Sequence, residues 1–319
     1  MKKMVLHRDM SSYLPRLEML VPGWEVVFSP KDASAVRGAE VLAGWHADWA
    51  EYAFAEDSPL RWVQAWSAGV DSLPLDEFQK RGILLTTGSG VHAKPVSETL
   101  FAMILALARA LPRILANQRE GKWLSPWQDD DRFGITEIHN RTLGILGVGA
   151  IGSEVARLAR GFSMHTLGLR HTGEPAPYVD EMYQSRDLNK LLHQCDYVVN
   201  LLPLTPETDK VMNADAFAAM RRGSRYFSLG RGPTTDLDAL AEALRSGHLA
   251  GAGLDVTDPE PLPEDSPLWK MDNVIITPHI GGLTPSYDDR TMELFLHNLS
   301  DYLATGTPGR NLVDYYRSY

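Results

Sequence analysis

The stretch Thr142-Leu-Gly-Ile-Leu-Gly-Val-Gly-Ala-Ile-Gly152 decides the fold of this chain. It begins with a short apolar run that ends in glycine, as a buried parallel strand does. Residues 150–160 follow with apolar side chains at helical spacing, and a second short apolar run lies at residues 165–169. Strand, glycine-rich turn, helix and second strand in this order predict a βαβ unit.

The three glycines of the turn, Gly147, Gly149 and Gly152, have the G-x-G-x-x-G spacing. In such a turn the first glycine permits the tight bend, the second lets the backbone approach a pyrophosphate, and the third lets the helix pack against the strand. The free N–H groups at the start of the helix, including those of Ala150 and Ile151, would then face the phosphates. The stretch therefore predicts a dinucleotide cofactor.

Arg170 follows the second strand, where a dinucleotide-binding unit for NAD carries an acid. A guanidinium cannot accept hydrogen bonds from the ribose hydroxyls, but it matches a 2′-phosphate. His171 and Thr172 would add hydrogen bonds there. We expect NADP(H) to be preferred, with NAD(H) possible. The alternative is an ordinary surface arginine on the loop between strand and helix.

Composition limits the class of protein. A chain of 319 residues suggests two domains, and 44% hydrophobic with 23% charged residues is typical of a soluble globular protein. The net charge of −10 disfavours nucleic acid and anionic membranes as partners. The single cysteine, Cys195, fits a reducing compartment and a packing role. The charged His7-Arg-Asp follows Met1-Lys-Lys-Met where a secretion signal needs apolar residues, so we expect a cytoplasmic protein.

Short apolar runs alternate with helical segments along the whole chain. Before the turn, strands are expected at residues 4–6, 25–28, 41–44, 62–66 and 83–86; after it, at 197–202, 226–230, 251–256 and 274–277. Long helical patterns cover 95–120, with an interruption at Pro112, and 285–305. The fold class is α/β: two doubly wound parallel-sheet domains with a cleft between them. We expect one domain from residues 1–95 plus 286–319 and another from 96–285.

Arg231, Glu260 and His279 fall at or just after the ends of the later strands, where ligands bind in open α/β sheets. Singly, each has a plain structural explanation: Arg231 can cap a helix or pair with Asp236, Glu260 can be a solvated acid, and His279 a structural histidine. Together they match the reduction of a keto acid. A cation holds the substrate carboxylate and polarises the carbonyl, a histidine protonates the oxygen, and a carboxylate orients that histidine and favours its charged form.

Over nearly its whole length the chain resembles the D-2-hydroxyacid dehydrogenases. The matching stretches are Ser67-Ala-Gly-Val-Asp71, Val96-Ser-Glu98, the glycine turn, Leu201-Leu-Pro-Leu-Thr-Pro-Glu-Thr208, Leu229-Gly-Arg-Gly232, Gly253-Leu-Asp-Val256, Glu260-Pro261 and Thr277-Pro-His-Ile-Gly281. The resemblance implies a flavodoxin-like substrate-binding domain and a Rossmann dinucleotide-binding domain. It gives Arg231, Glu260 and His279 the substrate-binding, orienting and acid–base roles.

The same resemblance assigns further contacts. It makes Asp255 the anchor of the cofactor's carboxamide, and it implies that the backbone N–H groups of Ala68, Gly69 and Val70 grip the substrate carboxylate. Cofactor contacts are also expected, in the matching stretches, at Leu202, Pro203, Thr208, Leu229 and Gly281. A homodimer without a metal ion is expected.

The chain also departs from the family pattern. Leu229-Gly230 stands where small polar or alanine pairs are common, which leaves the nicotinamide contact open, and Thr257-Asp258 replaces a turn that usually contains an aromatic residue. Gly44-Trp-His46 and Ser266-Pro-Leu-Trp269 look most similar to the glyoxylate/hydroxypyruvate reductase branch. Trp45 follows an early strand and is predicted to limit substrate size. Packing within the first domain is nearly as good an explanation of Trp45.

Two other functions stay open from the sequence. A nucleotide-sensing regulator on the same scaffold, like the family's transcriptional corepressors, can keep the same three residues. Formate dehydrogenases resemble this fold but pair the histidine with a glutamine, where Glu260 stands here.

Overall fold

The computed structural model describes residues 2–70, 72–123, 125 and 134–315. Its strands are β1 Lys3–Leu6, β2 Glu25–Phe28, β3 Val41–Ala43, β4 Trp62–Gln64, β5 Leu84–Thr86, β6 Thr142–Leu146, β7 His165–Leu169, β8 Glu181–Tyr183, β9 Tyr197–Asn200, β10 Arg225–Ser228, β11 Gly251–Leu254 and β12 Val274–Ile276. Its α-helices are α1 Leu14–Leu20, α2 Ala50–Ala53, α3 Leu75–Lys80, α4 Ala93–Ala108, α5 Leu111–Arg119, α6 Ala150–Gly161, α7 Leu188–Leu192, α8 Ala214–Ala219, α9 Leu237–Arg245 and α10 Tyr287–Thr305.

The chain divides into two compact units, which we call unit 1 (residues 1–91 and 284–319) and unit 2 (residues 92–283). The sequence placed the boundaries slightly later, after residues 95 and 285. The first boundary is earlier because α4 begins at Ala93 and includes Pro95 in its first turn. Proline is tolerated there, since the N–H groups of a helix's first turn have no partner within the helix.

Unit 1 contains a parallel sheet in the order β2-β1-β3-β4-β5, which is the flavodoxin-like order. Alternate side chains enter different cores: Met4 and Leu6 lie in one cluster and Val5 in another. The C-terminal helix α10 covers one face of the sheet, and Phe295 stacks on Trp62 with ring centroids 5.3 Å apart. The N-terminal strands and the late helix α10 therefore share one of these two clusters.

Unit 2 contains a parallel sheet in the order β12-β11-β10-β9-β6-β7-β8. Apart from β12, this is the strand order of dinucleotide-binding sheets. The strands β6, β7 and β8 form the first half of the sheet, and the second half begins with β9, which pairs with the other side of β6. Tyr197 and Val199 of β9 pack on one face and Val198 on the other. The prediction of two doubly wound parallel sheets is confirmed.

The helix predicted over residues 95–120 is two helices, and the break precedes Pro112. Ala110 has a left-handed backbone (φ 54°) between α4 and α5, and Pro112 lies in the first turn of α5. The proline ring would collide with the carbonyl four residues earlier, so α4 ends at Ala108. No single helix of the described residues is long and apolar enough to span a membrane; α4 and α5 pass by length and composition only as a pair bent by 71°.

Candidate active site

The glycine turn after β6 is built to admit a dinucleotide. A Cβ atom on Gly147 would lie 2.9 Å from the Leu201 carbonyl oxygen, and one on Gly152 would lie 2.7 Å from the Gly147 carbonyl oxygen. Next to Gly149, by contrast, a Cβ would meet nothing within 4 Å. The first and third glycines therefore serve close packing, whereas the second leaves room for a phosphate. No side chain caps the start of α6, and within the part of the chain that the structure describes the amide groups of Ala150 and Ile151 donate no hydrogen bond, so they remain available to an anion.

Arg170 lies against this turn. Its Nε donates to the Val148 carbonyl oxygen at 2.9 Å, and its Nη2 donates to the same oxygen. The guanidinium is thereby held beside the phosphate-binding loop by two of its five donors. His171 and Thr172 follow on an exposed loop. Arg170 thus has a defined position next to the turn, which an unattached surface arginine would lack.

The loops after β10, β11 and β12 are neighbours because these three parallel strands are adjacent in the sheet. Arg231 lies in the first loop, Glu260 in the second and His279 in the third. The first two loops touch at Gly232, where a Cβ atom would lie 1.8 Å from the Thr257 carbonyl oxygen. Any side chain at position 232 would push the Arg231 loop away from the Glu260 loop.

His279 and Glu260 form a hydrogen-bonded pair. The Nδ1 atom of His279 lies 2.9 Å from Oε2 of Glu260, while Oε1 of Glu260 accepts from the Thr257 amide at 3.1 Å. A carboxylate only accepts, so Nδ1 carries the proton and donates it to Glu260. The Nε2 atom is then the one that can exchange a proton with a ligand. Both side chains stay accessible, with 52% of His279 and 41% of Glu260 exposed.

The backbone of His279 has a left-handed conformation, with φ of 54°. This costs free energy for a residue with a side chain and persists only where neighbouring contacts enforce it. The His279 amide donates to the Asp255 carbonyl oxygen at 2.9 Å and to the Thr277 carbonyl oxygen at 3.0 Å. The two hydrogen bonds therefore hold the backbone of His279 in a strained conformation, which sets the direction of its imidazole.

Asp255 organises the same loop through its side chain, which is 4% exposed. Its Oδ1 accepts from the Thr277 hydroxyl at 2.5 Å and from the Ile280 amide at 3.0 Å, and its Oδ2 accepts from the Gly281 amide at 2.9 Å. Three of about four acceptor positions on a carboxylate are thus used within unit 2. The geometry gives Asp255 a loop-holding role in addition to the cofactor contact expected from the sequence.

Asn200 is a positioning residue that the sequence reading missed. It is fully buried at the end of β9, and its Nδ2 donates to the Tyr226 hydroxyl at 3.0 Å and to the Thr234 hydroxyl at 2.8 Å. Thr234 in turn donates to the Arg231 carbonyl oxygen at 2.6 Å. The usable signal is an asparagine that ends an otherwise apolar buried strand, because such an amide must have partners.

The remaining expected cofactor contacts lie at the same edge of the sheet. Leu202 and Pro203 follow β9, and the Thr208 hydroxyl closes their loop by donating to the Pro203 carbonyl oxygen at 2.6 Å. Leu229 follows β10 and is 6% exposed, inside a core cluster. The Thr208 hydrogen bond and the burial of Leu229 thus hold these two loops in place, while the individual cofactor contacts stay predictions.

In unit 1, the loop after β4 presents amide groups that lack partners. Ser67 closes the loop by donating from its hydroxyl to the Gly69 carbonyl oxygen at 2.7 Å. Within the described residues, the N–H groups of Ala68, Gly69 and Val70 donate no hydrogen bond. Consecutive amides without partners make an anion-binding concavity, as expected for a carboxylate-gripping loop. Asp71, the last residue of the matching stretch, is outside the described residues.

The first turn of α10 contacts Trp66, the residue that precedes this loop. The Tyr287 hydroxyl donates to the Trp66 carbonyl oxygen at 2.6 Å, and the Trp66 indole donates to Asp288 at 3.0 Å. Arg8 donates from Nη1 to Asp288 at 3.1 Å and from Nε to His7 Nε2 at 3.1 Å. A network of side chains from both ends of the chain thus fixes the residue that precedes Ser67.

Trp45 packs inside unit 1. Its ring lies 5.3 Å from the ring of Phe54 and meets Phe78 edge to face at 5.0 Å. These contacts favour the packing explanation of this residue. Its influence on substrate size stays a prediction.

Cys195 is fully buried, as expected for a packing residue, and its Sγ donates to the Leu191 carbonyl oxygen at 3.2 Å. Burial, with Asp196 next to it, raises the pKa of the thiol to about 12. The thiol is therefore not a nucleophile near neutral pH.

Comparison with known proteins identifies the family. Residues 101–281 match the family model of the D-isomer specific 2-hydroxyacid dehydrogenase NAD-binding domain. The chain belongs to the D-isomer specific 2-hydroxyacid dehydrogenase family. The Glyoxylate/hydroxypyruvate reductase B of Escherichia fergusonii is 38% identical over 256 residues, which cover 79% of this chain and 78% of that protein. The Glyoxylate reductase of Korarchaeum cryptofilum is 34% identical over 265 residues, covering 83% and 80%.

Solved structures agree. A D-isomer specific 2-hydroxyacid dehydrogenase family protein from Aeromonas salmonicida is 33% identical with a TM-score of 0.81, covering 98% of this chain and 99% of that one. An NADPH-dependent glyoxylate/hydroxypyruvate reductase from Sinorhizobium meliloti, solved with NADP and sulfate, is 27% identical with a TM-score of 0.78, covering 100% and 99%.

As a member of this dehydrogenase family, the protein is an oxidoreductase that uses a nicotinamide dinucleotide. The regulatory alternative gains no support, since these relatives are named as reductases. The open cradle at Gly149 and the uncapped start of α6 fit such a cofactor on the geometry of this chain alone.

Proposed function

We propose that this dehydrogenase reduces a small 2-keto acid of the size of glyoxylate or hydroxypyruvate with NADPH and oxidises the corresponding 2-hydroxy acid. The observation that carries the reaction class is the pairing of His279 with Glu260 at 2.9 Å, with Arg231 in the adjoining loop. The relatives named as glyoxylate or hydroxypyruvate reductases support the substrate class. We propose unit 2 as the dinucleotide-binding unit and unit 1 as the substrate-binding one.

In the proposed reaction the chain's own groups bind the anion and move the proton. We propose two carboxylate-binding elements: in unit 2 the Arg231 guanidinium, which also polarises the carbonyl, and in unit 1 the amides of residues 68–70. Protonated His279 gives the Nε2 proton to the carbonyl oxygen and keeps its Nδ1 hydrogen bond to Glu260, which holds the ring in its orientation. When bound, the nicotinamide dinucleotide supplies the hydride in reduction and accepts it in oxidation. Oxidation of the hydroxy acid runs the same proton path backward.

NADPH preference is proposed from the position of Arg170. Two donors of its guanidinium are used on Val148, so the group is held rigidly and its other donors remain to bind a 2′-phosphate. A charged hydrogen bond of this kind is worth about 1.5–3 kcal/mol, or roughly ten- to a hundredfold in affinity. NADP in the complex of the Sinorhizobium meliloti reductase supports the same class of cofactor.

The test of this preference is Arg170→Asp, measured as kcat/KM with NADPH and with NADH. We expect the wild-type enzyme to prefer NADPH and the variant to prefer NADH, because the contact is replaced by repulsion of the phosphate. Arg245→Asp makes the same charge change at an exposed ion pair of unit 2 and should leave the preference as it was. A wild-type enzyme with higher kcat/KM for NADH would overturn the NADPH assignment and leave the reaction class intact.

The substrate class is tested by assaying glyoxylate, hydroxypyruvate, pyruvate and phenylpyruvate at equal concentrations with each cofactor. Steady consumption of NADPH with the first two is the expected result. The best rate with phenylpyruvate would refute the small-substrate proposal, and no turnover with any keto acid would refute the reductase. A homodimer is also proposed, and sedimentation measurements test it.

A further inference from the structure

A basic cavity lies at the amino-terminal edge of the unit 2 sheet, where β6, β9 and β10 begin. The active-site residues are at the other edge, since they follow the carboxyl ends of the parallel strands. The cavity has a volume of about 230 Å³. Its lining consists of Thr136, Arg141, Asp196, Tyr197, Arg221, Arg222, Gly223, Ser224 and Arg225.

The lining carries four guanidinium groups and one carboxylate, although the whole chain has a net charge of −10. The carboxylate of Asp196 is already engaged, since it accepts from Arg221 at 3.0 Å and from the Thr142 amide at 2.9 Å. Arg225 lies over the Tyr197 ring. By contrast, Arg222 makes no hydrogen bond or ion pair with any residue that the structure describes. Unneutralised positive charge therefore faces this cavity.

Two hydroxyl groups of the lining have no partner. Ser224 is 2% exposed and Thr136 is half-buried, and neither Ser224 Oγ nor Thr136 Oγ1 makes a hydrogen bond within the described structure. A buried polar atom without a partner costs about 1–3 kcal/mol, and such atoms are rare in folded proteins. Both orphan hydroxyls face the same basic cavity, which is the arrangement expected where a bound ligand completes the hydrogen bonds.

We propose that this cavity binds a small phosphate, free or as a monoester, at a site separate from the dinucleotide. Guanidinium groups match the geometry of phosphate oxygens, and serine and threonine hydroxyls donate to them as well. Burial of Ser224 makes its hydroxyl the donor at the base of the site, while the exposed Arg141 and Arg222 supply charge at the mouth.

The size of the cavity selects among phosphates. Pockets for drug-sized ligands are about 300–1,000 Å³, so 230 Å³ suits a smaller molecule. A whole nucleotide is therefore disfavoured, whereas inorganic phosphate or a three-carbon phosphate monoester fits. Because the site is at the opposite edge of the sheet from His279, its occupant would bind together with cofactor and substrate.

The first experiment is calorimetric titration of the enzyme, saturated with NADP⁺ so that the cofactor's own phosphate sites are filled. The probes are inorganic phosphate and glycerol 3-phosphate. The probe that binds with the higher affinity shows whether the site prefers the free ion or a monoester. We expect Arg222→Ala to weaken binding of the tighter probe about tenfold or more, the usual effect of losing a charged hydrogen bond. Arg119→Ala, the same charge change at an exposed site of unit 2, should leave it unaltered.

The second experiment uses the orphan hydroxyl. Ser224→Ala should raise Tm in phosphate-free buffer, because it removes a buried polar atom without a partner. The same variant should lose most of the Tm increase that the probe gives the wild-type protein. A variant whose Tm is higher than that of the wild type without phosphate, but rises less when the probe is added, would show that the Ser224 hydroxyl binds a ligand and does not stabilise the fold.

Three outcomes would overturn the proposal. One is equal binding of both probes by the wild type, Arg222→Ala and Ser224→Ala, which includes no binding by any of them. Another is a fall in Tm for Ser224→Ala without phosphate, which would mean that the hydroxyl has a structural partner. The third is a change of oligomeric state in Arg222→Ala with unaltered phosphate affinity, which would assign the arginines to a contact between copies of the chain.

Discussion

The two units hold their functional loops in different ways. In unit 2 the His279 loop is tied to Asp255, whose carboxylate is buried and lies 26 residues from Gly281 in sequence. In unit 1 the Ser67 loop is tied to α10, and Trp66 lies 221 residues from Tyr287, its hydrogen-bond partner. The contacts that position the unit 2 loop therefore form within one short stretch of sequence. Those that position the unit 1 loop join residues that are far apart in the chain.

This difference has consequences for energetics. A buried carboxylate with three donors forms charge-assisted bonds in a low dielectric, so its loss leaves several groups unpaired. The unit 1 network is partly exposed and passes through single hydrogen bonds between Tyr287, Trp66, Asp288, Arg8 and His7. We expect the unit 2 loop to be held more strongly than the unit 1 loop and to cost more free energy to disturb.

The largest effect is expected for the group that the unit 2 loop positions. His279→Ala should lower kcat by about 10²–10⁴-fold, the range for losing a positioned proton donor. Cofactor affinity, measured by fluorescence titration, should change little. His248→Ala removes another histidine of unit 2, one that hydrogen-bonds the Met220 carbonyl oxygen, and should keep kcat within a few-fold. Near-normal turnover of His279→Ala would remove this histidine from the chemistry.

Asp255→Ala removes the carboxylate that positions the His279 loop. It leaves the Thr277 hydroxyl and the amides of Ile280 and Gly281 without their acceptor, which should cost about 3 kcal/mol in the free energy of unfolding. The value of kcat should fall at least tenfold, since the same loop carries His279. Asp180→Ala removes a carboxylate that accepts two bonds from Thr166 in β7 and should lower stability without lowering kcat. Equal loss of kcat in both variants would show that stability alone is responsible.

Acid should act on the unit 1 network through His7. Burial, the largest cause, lowers the pKa of His7 from 6.5 to about 4, and Arg8 donates to its Nε2 while Nδ1 contacts the Ala43 carbonyl oxygen. The folded state therefore keeps His7 neutral while the unfolded chain takes up a proton, so this contribution is lost as pH falls from about 6.5 to about 4. Allowing for its partial exposure, the loss should be about 1–2 kcal/mol.

Urea unfolding between pH 7 and pH 4 measures this effect. His7→Gln should lose less stability than the wild type over that interval, because glutamine does not titrate. Identical pH profiles for the two proteins would show that His7 is protonated in the folded state as readily as in the unfolded chain.

The smallest effect is expected for Tyr287→Phe, which removes one hydrogen bond behind the Ser67 loop. The KM for the keto acid should rise about three- to tenfold with a smaller change in kcat, because only the placement of the proposed carboxylate-binding amides is loosened. Tyr302→Phe removes a hydroxyl that donates to Glu40 from the same helix and should leave KM unaltered. An unaltered KM in Tyr287→Phe would mean that α10 does not position this loop.

Much of the site follows from short stretches of sequence. The glycine turn and the residues just after β10, β11 and β12 are predictable, because parallel strands bring their carboxyl ends to one edge and glycine spacing reports where backbones approach. For the same reason, Arg231, Glu260 and His279 could be assigned to the carboxyl edge of a sheet from the sequence, whereas the strand order that makes their loops neighbours came from the structure. The role of Arg170 as a neighbour of the turn also follows from its distance past Gly147.

Short or interrupted elements were harder to predict. Strand β8, Glu181–Tyr183, begins with a charged residue and has no continuous apolar run to mark it. The end of α4 preceded Pro112 because the clash of a proline ring falls one turn earlier in the helix. Neither feature has a local signal strong enough to place its limits.

The sequence by itself determined the fold class and the cofactor turn, and it predicted which residues lie at the carboxyl edge, because each depends on residues close together in the chain. Only the tertiary structure decided which distant side chains support them. Asn200 meets Thr234, Tyr287 meets Trp66, and Arg141 shares a cavity with Arg222. The physical reason is that hydrogen bonds and charge clusters depend on distance in space, while sequence patterns report only periodicity along the chain.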